Sequence, residues 1–182
     1  MTQTIPGFAS DDLPFRIGHG YDLHRLEPVA PRGAGKPLII AGVVLPWDDE
    51  EPRGPVAHSD GDALLHALTD ALLGAAGLPD IGQLFPNDDP ANEGRDSSDF
   101  LAEAVRLVRS GGWEVANVDL TVLLQRPKLG PHKAAIRDRL ARLLGLPPDR
   151  VNLKGKTGEH VGPVGEGRAI EAHAVVLLSR GT

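Results

Sequence analysis

Three residues from two stretches of the chain carry side chains that bind metal ions. Asp22 and His24 are one residue apart at the end of a short apolar stretch, and His66 follows the polar segment His58-Ser-Asp-Gly-Asp62. Two imidazoles and one carboxylate can hold a divalent transition metal and leave a coordination position free for a substrate. The set favours an enzyme, although a lone D-x-H pair more often ends a solvated strand and a lone helical histidine is usually packed in the core.

Secondary structure would allow these three residues to meet. Positions i and i+2 of a β-strand point to the same face, so Asp22 and His24 can converge on one point from a strand end. We expect a helix over residues 59–77, which begins with Ser59 as its N-cap. His66 and Asp70 lie on one stripe of that helix, because residues four apart are neighbours on a helix surface. Asp70 or a backbone carbonyl is therefore expected to orient the His66 imidazole.

Length and composition restrict the possible classes of protein. The 182 residues suit one domain, expected over 15–182, with residues 1–14 as a ragged extension that does not resemble a signal peptide. The net charge of -6 argues against a general nucleic-acid binder. The chain has no cysteine, so nitrogen and oxygen must hold any metal, and a reducing, cytoplasmic location is expected. No run reaches the roughly 18 apolar residues of a membrane span.

Apolar periodicity alternates between the patterns of strands and helices. The predicted elements are strands at 15–22, 114–125, 151–155 and 169–179, helices at 59–77, 97–110 and 131–144, and a hairpin within 37–45. Residues 80–96 are rich in proline, glycine and acids and are expected to form a long loop. The order predicts an α+β fold, or mixed α/β sandwich, in which a mixed sheet of about four to five strands carries helices on one face plus a small hairpin.

Three further segments could bind a negatively charged or planar ligand. His58 lies just before the expected helix, whose first backbone N–H groups attract phosphate. In Lys156-Thr-Gly-Glu159 the lysine and threonine suit phosphate oxygens, and Glu159 could hold a second divalent cation. In Gln125-Arg-Pro-Lys-Leu-Gly-Pro-His132 a fixed bend could leave backbone groups free to bind a planar base. Taken alone, the Lys156–Glu159 pattern more often marks an exposed turn, and an ordinary strand-to-helix connection would look similar to the segment 125–132.

Four motifs in a fixed order carry a resemblance to a known family. They are Arg16-Ile-Gly-His-Gly-Tyr-Asp-Leu-His24, His58-Ser-Asp-Gly-Asp-Ala-Leu-Leu-His66-Ala-Leu-Thr-Asp70, Asp80-Ile-Gly-Gln-Leu-Phe85-Pro and Arg126-Pro-Lys-Leu-Gly-Pro-His132. The chain thereby resembles the 2-C-methyl-D-erythritol 2,4-cyclodiphosphate synthases over nearly everything from Arg16 onward. The second motif is the most specific of the four.

The resemblance implies an enzyme of the non-mevalonate pathway to isoprenoid precursors. Such an enzyme converts 4-diphosphocytidyl-2-C-methyl-D-erythritol 2-phosphate to 2-C-methyl-D-erythritol 2,4-cyclodiphosphate and CMP by metal-assisted intramolecular phosphoryl transfer, as a phosphorus–oxygen lyase. The resemblance also implies a homotrimer with active sites between neighbouring subunits, so that a monomer should be inactive. Neither nucleic acid nor a membrane is expected as a partner.

Site residues follow from the resemblance by matching position. Asp22, His24 and His66 match the zinc ligands, and Glu159 matches the ligand of a second metal, Mg²⁺ or Mn²⁺, at the diphosphate. His58 and Thr157 match positions that stabilise the transition state. The positions around the methylerythritol phosphate are His58, Ser59, Asp80, Ile81, Gly82, Phe85 and Asp89. The positions around the cytidine, completed by a neighbouring subunit, are Leu124, Pro127, Lys128, Leu129, Gly130, Gly155, Lys156 and Thr157.

The chain departs from the family pattern at two positions. Gly155-Lys-Thr-Gly stands where many members have a run of threonines, so Lys156 replaces hydroxyl contacts with a charge. The stretch after Glu159 is shorter than the common pattern. Whether the Gly162–Gly167 loop serves a threefold-axis cavity that binds an isoprenoid diphosphate therefore stays open.

Two other functions remain compatible with the residues. A metal-dependent phosphohydrolase would use the same ligands to activate water and would release an open-chain product. A non-catalytic nucleotide-binding trimer would bind CMP or CDP even after chelation, with no turnover.

Overall fold

The computed structural model describes residues 13–47 and 50–181, so the expected extension over 1–14 lies almost entirely outside the described residues. The strands are β1 (Phe15–Pro28), β2 (Ile39–Ile40), β3 (Val43–Val44), β4 (Arg53–Pro55), β5 (Trp113–Leu123), β6 (Val151–Lys156) and β7 (Ala169–Arg180). The helices are α1 (Ala63–Ala76), α2 (Ile81–Leu84), α3 (Ser97–Ser110), α4 (Lys133–Leu144) and α5 (Gly162–Gly165), with 3-10 turns at Pro90–Asn92, Gly130–His132 and Pro148–Arg150.

Five of the strands form one mixed sheet in the order β4-β1-β7-β5-β6, and β2 pairs with β3 in a separate hairpin. β5 and β6 are parallel, whereas the other neighbours are antiparallel. α1 packs on β1 and β7, α3 packs on α1 and β5, and α4 packs on β6. The predicted α+β fold with its mixed sheet and small hairpin is confirmed. None of the described helices has the length and apolar content to cross a bilayer.

Several element boundaries differ from the sequence-based expectation. β1 continues to Pro28 because its second half pairs first with β7 and then with β4. β4 was not predicted, because its sequence Arg-Gly-Pro has no alternation of apolar and polar residues. α1 begins at Ala63, and its N-cap is Asp62 in place of Ser59: Asp62 Oδ1 accepts from Leu65 N at 3.1 Å, and Oδ2 accepts from Gly42 N at 2.8 Å. The expected loop over 80–96 contains α2 and a 3-10 turn.

The backbone of α1 lies directly against β1 at two glycines. A Cβ built on Gly18 would stand 1.9 Å from the Ala71 carbonyl oxygen, and one on Gly20 would stand 1.9 Å from the Ala67 carbonyl oxygen. Two residues of strand rise about 6.6 Å and four residues of helix rise about 6 Å, so the two elements stay in step along their contact. Asp22 is the next residue on this face of β1, and it therefore lies beside the first turn of α1.

We predict that Gly20→Ala lowers the free energy of unfolding by about 1–3 kcal/mol or more, because the three atoms nearest to the new Cβ all belong to helix backbone that cannot rotate away. Gly74→Ala is the matched control: Gly74 lies inside α1 with open space around its Cβ position, and alanine there should be neutral or stabilising by up to about 1 kcal/mol. Urea unfolding followed by circular dichroism measures both. Equal stability of the two variants would contradict the close contact.

The other face of the sheet carries apolar and aromatic side chains that the described helices leave open. Ile17, Tyr21, Leu23 and Val175 point to this face and are between 42% and 68% exposed. Tyr21 stands opposite His173 in the pairing of β1 with β7, and the two rings are 4.9 Å apart. Several exposed apolar and aromatic side chains on one sheet face are typical of a protein contact.

Candidate metal centre and active site

Asp22, His24 and His66 meet at one point, as expected from the sequence. Asp22 Oδ2 lies 3.3 Å from His24 Nε2 and 3.2 Å from His66 Nδ1, and the two ring nitrogens are 3.2 Å apart. Zinc bound at 2.0–2.1 Å by tetrahedral ligands requires ligand atoms about 3.3 Å from one another. The triangle therefore has the size and the donor types of a metal site with three protein ligands.

Burial and mutual charge set the ionisation of the three ligands. Burial opposes the charged form of Asp22, but the hydrogen bond from His66 and the positive charge of both histidines hold its pKa below the ordinary value. Burial lowers the pKa of His24, which the Asp22 carboxylate only partly offsets. For His66 burial also opposes charge, but the bond to Asp22 and the surrounding carboxylates raise the pKa. An ionised Asp22 and neutral imidazoles are the forms that bind a cation, so the raised pKa of His66 works against metal binding and the lowered pKa of His24 favours it.

Two serines, and not Asp70, hold the far side of the His66 ring. His66 Nε2 lies 2.9 Å from Ser97 Oγ and 3.2 Å from Ser59 Oγ. Ser97 Oγ in turn donates to Asp60 Oδ1, and Ser97 N donates to Asp60 Oδ2 at 2.9 Å. With Nε2–H donating to Ser97 and the Ser97 hydroxyl donating to Asp60, the lone pair of Nδ1 points at the metal position. The hydroxyl of Ser97 belongs to a fully buried residue.

The expectation that Asp70 orients the His66 imidazole is wrong, because Ser97 and Ser59 lie at Nε2 of the ring, and Asp22 and His24 lie at Nδ1. Asp70 Oδ1 accepts from Ile81 N at 2.8 Å, so the carboxylate anchors the start of α2. Burial raises the pKa of Asp70, although the bond from Ile81 works against that rise. Residues four apart on α1 do share a stripe, but Ser97 reaches His66 from α3, and the spacing within one helix gives no signal of a residue 31 positions away.

A cavity of about 470 Å³ opens beside the three ligands. The expected substrate positions that line it are His58, Ser59, Ile81, Gly82 and Phe85, and Asp70, Asn87, Asn92 and Phe100 also contribute to its wall. Asp80 and Asp89 are not among the lining residues. Asp80 caps α2 by accepting from Gln83 N at 2.8 Å, and Asp89 accepts from Ala91 N at 2.9 Å while its carbonyl oxygen lies 3.2 Å from His58 Nε2. The sequence gives no cue for Asn92, which is buried between loops.

The segments expected around the cytidine lie together at the ends of β5 and β6. Leu124 N donates to Lys156 O at 2.9 Å, and the side chain of Leu129 packs against Gly155. Thr157 Oγ1 donates to Glu159 Oε1 at 2.7 Å. Pro127 is buried, whereas Lys128 and Gly130 are exposed beside it.

These segments do not reach the three metal ligands within one chain. On the metal side, His24 of β1 pairs with Ile170 of β7. On the cytidine side, the next residue of β7, Glu171, pairs with Leu123 of β5, and Leu123 pairs with Lys156 of β6. Both groups thus lie at the same end of the sheet, but β1 and β6 are three strands apart. Three interstrand spacings amount to about 14 Å.

We predict that Ser97→Ala weakens divalent-metal binding about 10- to 100-fold, because the ring of His66 loses the acceptor that fixes its orientation. Asp70→Asn is the matched control and should bind metal as the unmodified protein does, since its oxygen still accepts from Ile81. Competition with a chromophoric chelator at constant pH measures both affinities. A larger loss in Asp70→Asn than in Ser97→Ala would contradict the hydrogen-bond chain described above.

Fold and site together define a class, namely a small α+β protein in whose cleft two histidines and one aspartate form a triangle that fits a divalent metal. The YgbB family model matches residues 15–179. The chloroplastic 2-C-methyl-D-erythritol 2,4-cyclodiphosphate synthase of Arabidopsis thaliana is 58% identical over 168 residues, which cover 92% of this chain and 68% of that protein. The Burkholderia thailandensis synthase is 49% identical over 92% of this chain and 98% of its own length.

A solved structure of the synthase in its CDP-bound form has a TM-score of 0.79 at 49% sequence identity, covering 90% of this chain and all of that one. The chain belongs to the YgbB family, and its relatives from Arabidopsis thaliana and Burkholderia thailandensis are 2-C-methyl-D-erythritol 2,4-cyclodiphosphate synthases. The resemblance that the four sequence motifs carry is confirmed.

The expected cytoplasmic location is wrong. The relatives from Arabidopsis thaliana, Catharanthus roseus and Oryza sativa, 56–58% identical, are all named as chloroplastic. The expectation rested on the absence of cysteine and of apolar runs. A lack of cysteine and of long apolar runs is compatible with more than one compartment of the cell, so these features do not identify the location.

Proposed function

We propose that the metal centre serves the reaction of the family, the conversion of 4-diphosphocytidyl-2-C-methyl-D-erythritol 2-phosphate to 2-C-methyl-D-erythritol 2,4-cyclodiphosphate and CMP. The observation that carries this proposal is the triangle of Asp22, His24 and His66 at the wall of a cavity large enough for a phosphorylated polyol. The reaction is a step of the non-mevalonate route to isoprenoid precursors.

The three ligands are assigned to zinc, and Glu159 to a second divalent ion, Mg²⁺ or Mn²⁺, at the diphosphate. Bound metal supplies a Lewis acid that neutralises charge on the phosphoryl oxygens. His58 and Ser59, at the cavity wall beside the start of α1, bind the methylerythritol phosphate and hold it in place. His58 is oriented by the Asp89 carbonyl oxygen, which lies 3.2 Å from its Nε2.

The nucleophile in this reaction is a phosphate oxygen of the substrate itself. It attacks the β-phosphorus, the bond from that phosphorus to the oxygen of the α-phosphate breaks, and CMP leaves with the bonding electrons. No activated serine or cysteine is needed, in keeping with a chain that has no cysteine. The protein's task is to fold the substrate back on itself, which can contribute about 7–11 kcal/mol in favourable intramolecular cases.

Thr157 and Lys156 are proposed to contact the diphosphate and the cytidine from the other side. Thr157 is held by its hydrogen bond to Glu159, and Lys156 is an exposed cation next to it. A cation here compensates the negative charge of the substrate in a chain whose net charge is -6. The CDP-bound relative supports a nucleotide subsite in this fold.

A homotrimer with sites between subunits is the proposed assembly. Two observations support it: the metal ligands and the cytidine segments lie three strands apart in one chain, and the outer face of the sheet exposes apolar side chains such as Ile17 and Leu23. Packing of this face against neighbouring copies would bury it and bring β6 of one subunit to the metal cavity of the next.

The direct test is incubation of the purified protein with the cytidine-linked substrate and analysis of the products by phosphorus NMR. We expect the cyclic diphosphate and CMP, and no turnover after the metal is removed with a chelator. Re-addition of zinc with magnesium or manganese should restore turnover. Inorganic phosphate or an open-chain phosphate as product would favour a phosphohydrolase, and CDP binding with no turnover of the full substrate would favour a non-catalytic nucleotide-binding protein.

Subunit complementation tests the placement of the site. His66→Ala removes a metal ligand, and Thr157→Ala should lower kcat more than it changes KM, because it acts mainly in the transition state. The two variants are then refolded together in a 1:1 mixture, so that subunits combine at random. An interface should be active where a subunit with intact His66 meets a neighbour with intact Thr157, which is the case at about a quarter of the interfaces. Each variant refolded alone is the control. Mixtures no more active than the variants alone would place the whole site within one chain.

A further inference from the structure

Lys36 lies in the loop between β1 and β2, and its side chain reaches the turn that carries His58 and Ser59. The ammonium nitrogen Nζ donates to the carbonyl oxygen of His58 at 3.0 Å and, at close range, to the carbonyl oxygen of Ser59. Hydrogen bonds from a charged donor are about twice as strong as neutral ones. A single cation that donates to two consecutive carbonyl groups therefore fixes the direction of both peptide units.

The backbone of Lys36 is itself fixed against the sheet. Lys36 N donates to the carbonyl oxygen of Pro55, the last residue of β4, at 3.0 Å. A Cβ built on Gly54 would stand 1.6 Å from the Lys36 carbonyl oxygen, so the backbone of β4 lies in direct contact with Lys36. The sheet thus determines where the ammonium group stands, and the turn at His58 takes its position from the sheet through this side chain.

The acidic residues that follow in this turn are bound to other donors. The carboxylate of Asp60 accepts from Ser97 N at 2.9 Å, from the Ser97 hydroxyl and from Asp62 N at 3.1 Å. The carboxylate of Asp62 accepts from Gly42 N and Leu65 N. The positive charge of Lys36 therefore acts on the two carbonyl groups.

Lys36 contacts the turn from behind the wall of the metal cavity. His58 and Ser59 line that cavity, whereas Lys36 does not. The peptide bond between His58 and Ser59 is trans, so the Ser59 N–H points away from the His58 carbonyl oxygen and hence away from Lys36. A cation at the carbonyl oxygen polarises the peptide unit and makes its N–H a stronger hydrogen-bond donor.

We propose that Lys36 is a positioning residue for the phosphate group that His58 and Ser59 bind. It turns the peptide between these two residues so that the Ser59 N–H and the His58 ring contact the same phosphate, and its charge strengthens the N–H as a donor. This inference rests on the proposed function. It adds to the site a residue that touches neither the metal nor the substrate.

Lys36→Met removes the ammonium group at similar side-chain length and should lower kcat about tenfold or more, because charged hydrogen bonds are lost and the phosphate is less firmly oriented. KM should change less. Lys36→Arg keeps a charged donor and should retain most of the turnover. Arg106→Met is the matched control for the loss of one positive charge, since Arg106 lies on the exposed face of α3 in an ion pair with Glu103. Rates are expressed per folded, metal-loaded chain.

Amide NMR gives a readout that does not require turnover. Inorganic phosphate should shift the backbone amide signal of Ser59 in the unmodified protein and in Lys36→Arg, and it should shift this signal much less in Lys36→Met. Potassium chloride at the same ionic strength is the blank. Circular dichroism checks that each variant is folded, and Lys36→Gln, which keeps a neutral donor, takes the place of Lys36→Met if the latter does not fold.

An unchanged kcat in folded, metal-loaded Lys36→Met would overturn the proposal. An equal loss of kcat in Lys36→Met and Lys36→Arg would overturn it as well, because it would show that packing and not the charged donor matters. So would a Ser59 amide response to phosphate that is the same with and without the ammonium group. An absence of turnover in the unmodified protein would instead overturn the proposed function, and the Ser59 amide response would then decide whether Lys36 positions the turn.

Discussion

The contact between the backbone of α1 and the backbone of β1 is the constraint on which the metal centre depends. Gly18 and Gly20 let the carbonyl oxygens of α1 approach β1 more closely than any side chain would allow. The same alternation that places these glycines under the helix places Asp22 and His24 at its first turn, where His66 projects. A triangle with edges of 3.2–3.3 Å tolerates little variation in that spacing.

The width of the sheet explains why one chain carries only half of the proposed site. Two of the three candidate metal ligands stand on β1 and the third stands on α1, which packs against β1 and β7. The segments proposed to hold the nucleotide follow β5 and β6, and β7 lies between β1 and β5. A β-sheet fixes the spacing of its strands, so no side-chain rearrangement closes this gap. The proposed homotrimer would close the gap by bringing β6 of one copy to the metal cavity of the next, and the exposed side chains on β1 and β7 are the surface proposed for that assembly.

The sequence was sufficient for the parts of the fold and site that follow from local patterns. The D-x-H pair on a strand, the histidine on a helix and the order of strands and helices are all properties of periodicity, and the structure agrees with each of them. Asp70 was assigned wrongly because it satisfies the helical spacing while its carboxylate bonds to Ile81. Ser97 and Asp60 come from distant segments, and only tertiary packing brings them to His66. β4 has no apolar pattern of its own and forms because its backbone pairs with the edge of β1.

The serine at the start of α3 links the metal centre to a helix that holds no ligand. His66 is bonded to Ser97, and Ser97 is bonded through both its backbone and its hydroxyl to the Asp60 carboxylate. A cation that fixes the His66 ring therefore also fixes the orientation of α3 against α1, and part of the energy of ion binding stabilises the tertiary structure. An ion bound by the three ligands would therefore link α1 to α3 through His66 and Ser97, in addition to its proposed part in the reaction.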